Sequence, residues 1–305
     1  TGSSIKPITV YSPAIDTKLA TGATSIEDSA IEDSIPHYQE IGVKWKNQAN
    51  GKLFSPRNYE SGDFQGYMTL RYALMKSINL VAIKLEYDLG LPTGLAYAEK
   101  FGIPYDDKSK TSISALALGE FGGSNTLSMS AAYGVFGNNG MYTAPILYTK
   151  VVDKTGKVIL ENKPETRKVL SPQSAYLMFD LLKGPTSSGG TAGNARFGNM
   201  PVVGKTGTSG DKKDFWFCGL TPYYSGAVWI GNDQPTSYYQ IGSHTSAGIW
   251  NKIMQIAHKN LQAKEIEKPA GFTTAAVCSV SGKIPTDLCS RDPRGSKVYQ
   301  EIFIE

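Results

Sequence analysis

The sequence predicts an α+β fold: an antiparallel sheet covered by helices, joined to a helical lobe and followed by a small β-rich C-terminal extension. Three observations carry this. Apolar residues recur at helical spacing in the early part of the chain, three strand-like runs with short turns come late, and an amphipathic helix follows them directly. The 305 residues, 40% hydrophobic and 19% charged, suffice for a substantial core, either as one large domain or as a main domain with an appendage. "KEIEKPAG" reads as a linker, so the expected division is a main domain over 1–265 and an extension over 266–305.

"TGSSIKP" opens the chain. Pro7 lacks an N–H, so a helix should begin within a turn of Ser3, keeping the proline in its tolerated first turn. Residues 20–65 are rich in Ser, Gly, Asp and Asn, and the echo "SIEDSAIEDS" reads as a solvated acidic loop, two copies being too few for a repeat architecture. "TLRYALMKSINLVAIKLEYDLGLP" then reads as two helices. Leu70, Ala73 and Leu74 share a face before Ser77; Leu80, Ile83 and Tyr87 continue after it, and Gly90 with Pro92 forms a stop signal. "VVDKTGKVIL" has a hairpin pattern. "SPQSAYLMFDLLKG" is a helix with Ser171 as N-cap, Pro172 at its first position and Gly184 past its end.

The segments "MPVVGKTGT", "DFWFCGL" and "SGAVWIGND" suit an antiparallel meander, with Trp216 and Trp229 in its core. "AGIWNKIMQIAHKNL" places Trp250, Ile253, Met254, Ala257 and Leu261 on one helical face, fit to cover that sheet. His258, near the helix end, reads as a favourable dipole partner. Short strands and turns close the chain.

Several function classes fall away on composition. The net charge is +4 and the lysines are scattered, without the aromatic-basic array of a nucleic-acid binder, so no nucleic-acid partner is expected. No apolar run is long enough to span a membrane. No initiator Met or signal peptide precedes Thr1, so the chain is expected to be a piece of a longer protein. Cys218 sits in an apolar strand-like run, as a buried structural thiol would. Cys278 and Cys289 flank "SVSGKIPTDL" and either close a short loop or stay free. His37, His244 and His258 have no metal-ligand spacing, so neither a metal nor another cofactor is expected.

Ser3 and Lys6 carry the first chemical signal. Lysine three residues after serine lies one turn along the same helix face, whereas Ser4 points off that face. A helix N-terminus favours the negative charge that develops on an attacking serine. Lysine can act as its base only if its pKa falls well below about 10.4, through burial or a second cation, so another lysine should converge on the site. The pattern alone is common: Ser-x-x-Lys recurs at Ser209/Lys212, and Lys-Thr-Gly occurs both at Lys154–Gly156, in the hairpin turn, and at Lys205–Gly207, ending an apolar strand. Order supplies the specificity. Ser3-x-x-Lys6 at a helix start, Ser77-x-Asn79 between two helices and Lys205-Thr206-Gly207-Thr208 on a late strand follow one another as in penicillin-binding proteins and β-lactamases, where the second element is usually Ser-Asp-Asn.

With "GSSIKP", "KSINLVA", "ALGEFGGSNTLSMSAAYGVFGNNG", "VGKTGTSGDKKDFWFCGLTP" and "VWIGND" in this order, nearly the whole chain resembles the transpeptidase domain of bacterial penicillin-binding proteins. "VCSVSGKIPTDLC" resembles the tail of their bifunctional class A members. The resemblance implies the penicillin-binding protein/serine β-lactamase fold, with Ser3 as the acylated nucleophile and Lys6 taking its proton. It implies that Ser77 and Asn79 relay protons and hold the substrate backbone, while Lys205 stabilises charge and keeps Lys6 neutral. Thr206 and Thr208 would bind the substrate's terminal carboxylate, and the backbone N–H groups of Ser3 and Thr208 would form the oxyanion hole, worth about 3 kcal/mol per donor. Gly207 would let substrate approach the strand edge closely.

The implied activity is a D,D-transpeptidase that cross-links peptidoglycan stem peptides ending in D-Ala-D-Ala and is acylated by β-lactams, at the extracytoplasmic face of a bacterial membrane. Its anchor, and an upstream N-terminal segment of the same protein that completes the sheet, would precede Thr1. The neighbouring readings are a serine β-lactamase, a D,D-carboxypeptidase or a penicillin-binding sensor. A class A β-lactamase needs a glutamate to activate water, carried in Glu-x-x-Leu-Asn; the nearest approach is Glu86 to Leu89 followed by Gly90, inside a helix. The "GKT" at Gly204–Thr206 is not a phosphate loop, because the glycine required five positions earlier is Asn199 and no helix follows. No Gly-x-Ser-x-Gly elbow is present either.

Overall fold

The computed structural model describes residues 1–33, 35, 45–46, 53–54, 56–59, 62, 64–107 and 109–305. His37 and much of the 20–65 segment lie outside the described residues. The chain opens in a helical run through the middle of the core: a 3-10 turn over Gly2–Ile5, a wide π turn over Pro7–Tyr11, and α1 (Ser12–Asp16). Pro7 explains the change of pitch. Without an N–H it cannot bond back to the Ser3 carbonyl, which takes the Lys6 N–H instead. Ile5, Ile8, Val10, Tyr11 and Ala14 are all buried, as are the polar Ser4, Lys6, Thr9 and Ser12, so this run is enclosed on nearly every side, as a central helix must be.

The strands β1 (Ser25–Asp28), β2 (Trp45–Lys46), β3 (Leu53–Phe54) and β4 (Gly66–Thr69) come next; β2 pairs with β3, and β1 pairs antiparallel with β4 from Ser25 opposite Thr69 to Asp28 opposite Gly66. The first copy of the acidic echo is therefore a strand and not a solvated loop. Asp28 is buried because the Asn58 amide and the Gln65 N–H satisfy its carboxylate, and Ile31 fills the core beyond it. The helical lobe follows as α2 (Leu70–Lys76), α3 (Asn79–Leu89), α4 (Leu91–Lys100), α5 (Ile113–Leu118) and α6 (Thr126–Gly137). Leu70, Ala73, Leu74, Leu80 and Ile83 are buried as their spacing predicts. Gly90 ends α3, but Pro92 opens α4 from its first turn, where a missing N–H has no consequence.

After β5 (Met141–Thr143), an exposed hairpin of β6 (Lys150–Val152) and β7 (Val158–Glu161) carries the Lys154–Gly156 turn, and β8 (Thr166–Lys168) returns to pair with β5. Ser171 caps α7 (Pro172–Leu181), accepting from the Ser174 N–H. Gly184 is no stop: Leu182 stays in the helical region and the chain turns straight into α8 (Lys183–Thr186).

The meander is β9 (Val203–Thr208), β10 (Phe215–Leu220) and β11 (Ser225–Ile230), with β10 central; Lys205 faces Cys218 and Gly207 faces Trp216. Trp216, Cys218 and Leu220 enter the main core, while Phe217 points to the other face and packs edge-on against Trp250 of α9 (Ser243–Ala257). This alternation is the two-residue period of a strand buried on both sides. The buried face of α9 differs from the one expected: Ser246, Ala247, Trp250 and Met254 are covered, while Ile253 and Ala257 face outward and Leu261 lies beyond the helix. Trp250 sets the rotation by donating its indole N–H to the Gly226 carbonyl at 3.0 Å. His258 is more than a dipole partner. It is a buried cap whose Nδ1 contacts the Met254 carbonyl at 2.7 Å and whose Nε2 meets Thr221 Oγ1 at 2.8 Å.

A two-stranded ribbon, β12 (Phe272–Cys278) with β13 (Val298–Ile304), forms the extension. The thiols of Cys218, Cys278 and Cys289 are free. Phe272, Ile302 and Ile304 pack on the main core, so the linker leads to a ribbon seated on the body. No helix among the described residues is long and apolar enough to cross a membrane.

Candidate active site

Ser3 sits in the opening 3-10 turn and is half-buried at the floor of a cleft of about 620 Å³. Three contacts fix this turn. The Tyr133 hydroxyl donates to the Ser4 carbonyl at 2.6 Å, the Gly2 N–H reaches the Gly119 carbonyl at 3.3 Å, and Ser4 Oγ turns back to the Thr1 carbonyl at 2.7 Å. Ser4 is fully buried, so Ser3 is the serine of the pair that meets the cleft.

Lys6 lies one turn on, fully buried. Its Nζ donates to the Ser77 carbonyl at 2.8 Å and to Asn79 Oδ1 at 2.7 Å, with the Ile78 carbonyl at 3.3 Å and Ser77 Oγ at 3.5 Å. Among the described residues no hydrogen bond joins Lys6 to Ser3. Burial pushes the Lys6 amine well below the ordinary lysine range, and the charge of Lys205 pushes it further in the same direction. Lys205 is also fully buried. Its Nζ donates to Ser77 Oγ at 2.8 Å and to the Thr206 carbonyl at 3.1 Å, and burial lowers it to about 7.

Ser77 is where the two lysines meet, and its backbone is made for the task. It is the C-cap of α2 in the left-handed region, at φ 63°, a conformation that usually selects glycine. The Ser77 and Ile78 N–H groups bond back to the Leu74 and Ala73 carbonyls, closing the helix while the chain re-enters α3 at Asn79. A serine held in this strained state keeps a hydroxyl that glycine lacks. Asn79 is fixed at its other end by Nδ2 donating to the Arg57 carbonyl at 2.8 Å. Asn58 caps α3 by accepting from the Asn79 and Leu80 N–H groups, and is itself held by the buried Asp28.

The strand β9 forms the opposite wall. Thr206 and Thr208 line the cleft, and Thr206 Oγ1 meets Thr191 Oγ1 at 2.7 Å. Gly207 faces the other way, which changes the reason for its being glycine. A Cβ there would stand 2.1 Å from the Thr1 carbonyl and 3.0 Å from Ser4 N, so the missing side chain admits the serine-bearing turn and not a ligand. Gly2, at φ +54°, meets Thr208 equally closely from the turn's side.

All eight expected residues thus gather in one region: Ser3, Ser77, Asn79, Thr206 and Thr208 line the cleft, Lys6 and Lys205 lie beneath Ser77, and Gly207 supports the turn. Asn58, Thr191, Glu120 and His244 also line it and were missed, because none belongs to a spaced motif. Glu120 is the one carboxylate lining the cleft among the described residues, and it accepts the Gly210 N–H at 3.1 Å. Glu86, the nearest approach to a water-activating glutamate, is buried in α3 away from the cleft; among the described residues its oxygens have no hydrogen-bond partner, and burial holds its carboxyl well above the usual range. The second Ser-x-x-Lys lies in the β9–β10 turn, where Ser209 Oγ donates to Asp214 and Lys212 stands over the Tyr239 ring.

The family model described as penicillin binding protein transpeptidase domain matches residues 1–255, and that described as penicillin-binding protein 1A, C-terminal domain, matches residues 268–305. The chain is 56% identical over 296 residues to penicillin-binding protein 1A of Clostridium acetobutylicum, covering 97% of this chain and 35% of that protein. It is 50% identical over 318 residues to the protein of that name from Clostridium tetani, covering 100% of this chain and 38% of the other. The chain therefore spans little more than a third of the length of these relatives. Among solved structures, penicillin-binding protein 1A from Haemophilus influenzae superposes with a TM-score of 0.75 at 22% identity, covering 98% of this chain and 47% of that one. The D,D-transpeptidase domain of a peptidoglycan glycosyltransferase from Eggerthella lenta gives 0.64 at 20% identity, over 85% of this chain and 64% of that one. At these identities the structural likeness is one of fold.

Proposed function

Since the chain belongs to the penicillin-binding protein transpeptidase family, we propose that it is a serine-type D,D-transpeptidase that cross-links peptidoglycan and is acylated by β-lactams. The observation that carries this reading is the meeting of Lys6 and Lys205 at Ser77 Oγ, directly behind a cleft floored by Ser3. Ser3 Oγ attacks the carbonyl between the two D-Ala residues of a donor stem, and its proton passes to the amine of Lys6, whose burial favours the neutral form. The N–H groups of Ser3 and Thr208 take the oxyanion. Ser77, its hydroxyl held in place by Lys205, then hands its proton to the departing D-Ala amine and takes the proton that Lys6 received from Ser3.

Protonated Lys205 with Thr206 and Thr208 suits the terminal carboxylate of the donor, and Asn79 is placed to hold its backbone. In the second half an amine of a neighbouring stem attacks the acyl-enzyme, its proton returning along the same route, and Ser3 is regenerated. The division of labour between the lysines rests on their environments: Lys6 bears the added penalty of Lys205's charge and is the base, while Lys205, at about 7, keeps a share of its proton at neutral pH. An upstream segment of the same protein, with a membrane anchor, would place this domain outside the cytoplasm. Its strands would pair with β11, which has no neighbour on its outer side among the described residues.

Mass spectrometry of the intact chain and its peptides after incubation with benzylpenicillin tests the proposal, with Ser3→Ala as control. The expected result is a lasting adduct on the peptide containing Ser3, absent from the control. An adduct that forms and is rapidly lost would reassign the chain to β-lactam hydrolysis, with Glu120 as the carboxylate to substitute first. No adduct, even with the upstream segment restored, would overturn the reading.

A further inference from the structure

The ribbon of β12 and β13 has a connection that an appendage does not need. Glu301 of β13 is wholly buried, and it holds Arg71 of α2 side-on: Nε donates to Oε2 at 2.7 Å and Nη2 to Oε1 at 2.5 Å. The Ile302 N–H and the Tyr299 hydroxyl complete the carboxylate's partners, at 3.0 and 3.3 Å. Arg71 Nη2 also reaches Asp180 of α7 at 2.7 Å, so the guanidinium is fixed on two sides.

We propose that Glu301 is a positioning residue for the active site: the C-terminal ribbon latches Arg71 and thereby fixes α2, the short helix whose cap presents Ser77 to the two lysines. The proposal rests on the transpeptidase reading for what Ser77 does, but its geometric content stands apart from that reading.

Three features of α2 make it depend on such a latch. It has seven residues, below the length at which a helix holds itself together, so tertiary contacts decide where it lies. Arg71 is its second residue and Ser77 its cap, about 9 Å apart along one rigid element, so a shift at one end is delivered to the other. Ser77 is held in the left-handed region, a state that persists only while both flanking helices are held. The Leu70 and Arg71 N–H groups bond the carbonyls of Thr24 and Gly22, in a loop held by the β1–β4 ladder and also by the connection between β12 and β13, where Ser25 Oγ donates to the Val280 carbonyl at 2.6 Å. A paired carboxylate and guanidinium also does what apolar packing cannot. It admits one direction and one register, which suits setting the position of a catalytic hydroxyl.

The test uses the full chain with Glu301→Gln, and Phe272→Ala as a control that weakens the ribbon elsewhere by removing its contact with Tyr176. In Glu301→Gln the benzylpenicillin acylation step is expected to slow at least about 10-fold, with the loss in that step and not in prior binding. Amide exchange at Ser77 and Ile78 is expected to quicken. Phe272→Ala should melt lower yet keep both values. Wild-type acylation and exchange in Glu301→Gln would overturn the proposal, and so would equal losses in Phe272→Ala, which would make the ribbon a stabiliser only. If Glu301→Gln does not fold, Arg71→Lys reads the same pair, and unchanged exchange there overturns it. Failure of wild-type chain to acylate would count against the transpeptidase reading alone, since exchange at Ser77 still decides the latch.

Discussion

At the scale of single residues, the site is defined by two lysine amines that are fully buried. Lys205 shows the consequence for pH. Its folded pKa, about 7, lies below the ordinary 10.5, so the unfolded chain binds the extra proton between those values. The penalty on folding is complete below about pH 7 and fades as pH rises toward 10.5. Replacement Lys205→Met should therefore raise stability by about 1–4 kcal/mol at pH 6, with the gain shrinking by pH 10, while abolishing acylation. Thermal melts at the two pH values check this. Lys205→Arg makes the complementary test. If acylation is bell-shaped in pH, its alkaline limb should lie near 7 in the wild type and vanish with arginine, which does not titrate in this range. An alkaline limb unmoved by arginine would remove Lys205 from the titration. The bases of these effects differ in how visible they were beforehand: the need for a second lysine follows from Lys6 alone, but its burial does not.

At the scale of elements, the central event is the seating of the opening turn on β9. Gly207 and Gly2 allow it, each meeting the other element's backbone at a distance no side chain would permit. Gly207→Ala should force the two apart, lowering stability by about 1–3 kcal/mol and the acylation rate about 100-fold, as Ser3 shifts relative to β9. A thermal melt alongside acylation kinetics separates the two effects. Acylation at the wild-type rate would mean that the turn and strand can part without consequence. The helical elements show a different lesson. The spacing of α2 and α3 is legible because both bury one clear face in the main core. The rotation of α9 is not, because its apolar residues outnumber the narrow strip of sheet it covers, and the indole N–H of Trp250 decides which of them face inward.

At the scale of the molecule, the ribbon and the body are one folded unit at their contact. Phe272, Ile302 and Ile304 pack on the main core, and Glu301 is buried against Arg71. Cutting the chain after residue 265 should thus cost about 3 kcal/mol or more in urea unfolding, given the apolar surface uncovered and the lost pair. A truncated chain with the midpoint of the full one would restore the ribbon to a separate extension. The composition of "KEIEKPAG" reads as a linker before an extension. That stretch has no regular structure, but composition says nothing about what the strands after it touch.

The sequence by itself determined the α+β class, the meander and the order of the three motifs, because each follows from local spacing or strand period. Only the tertiary structure decided that Lys6 and Lys205 meet at Ser77, that Gly207 faces the serine's turn, that Glu86 is buried away from the cleft, and that Arg71 reaches Glu301. These depend on contacts between residues far apart in the chain, from 71 positions for Lys6 and Ser77 to 230 for Arg71 and Glu301. Local periodicity constrains which face of an element is apolar. It does not specify which distant side chain that face will meet.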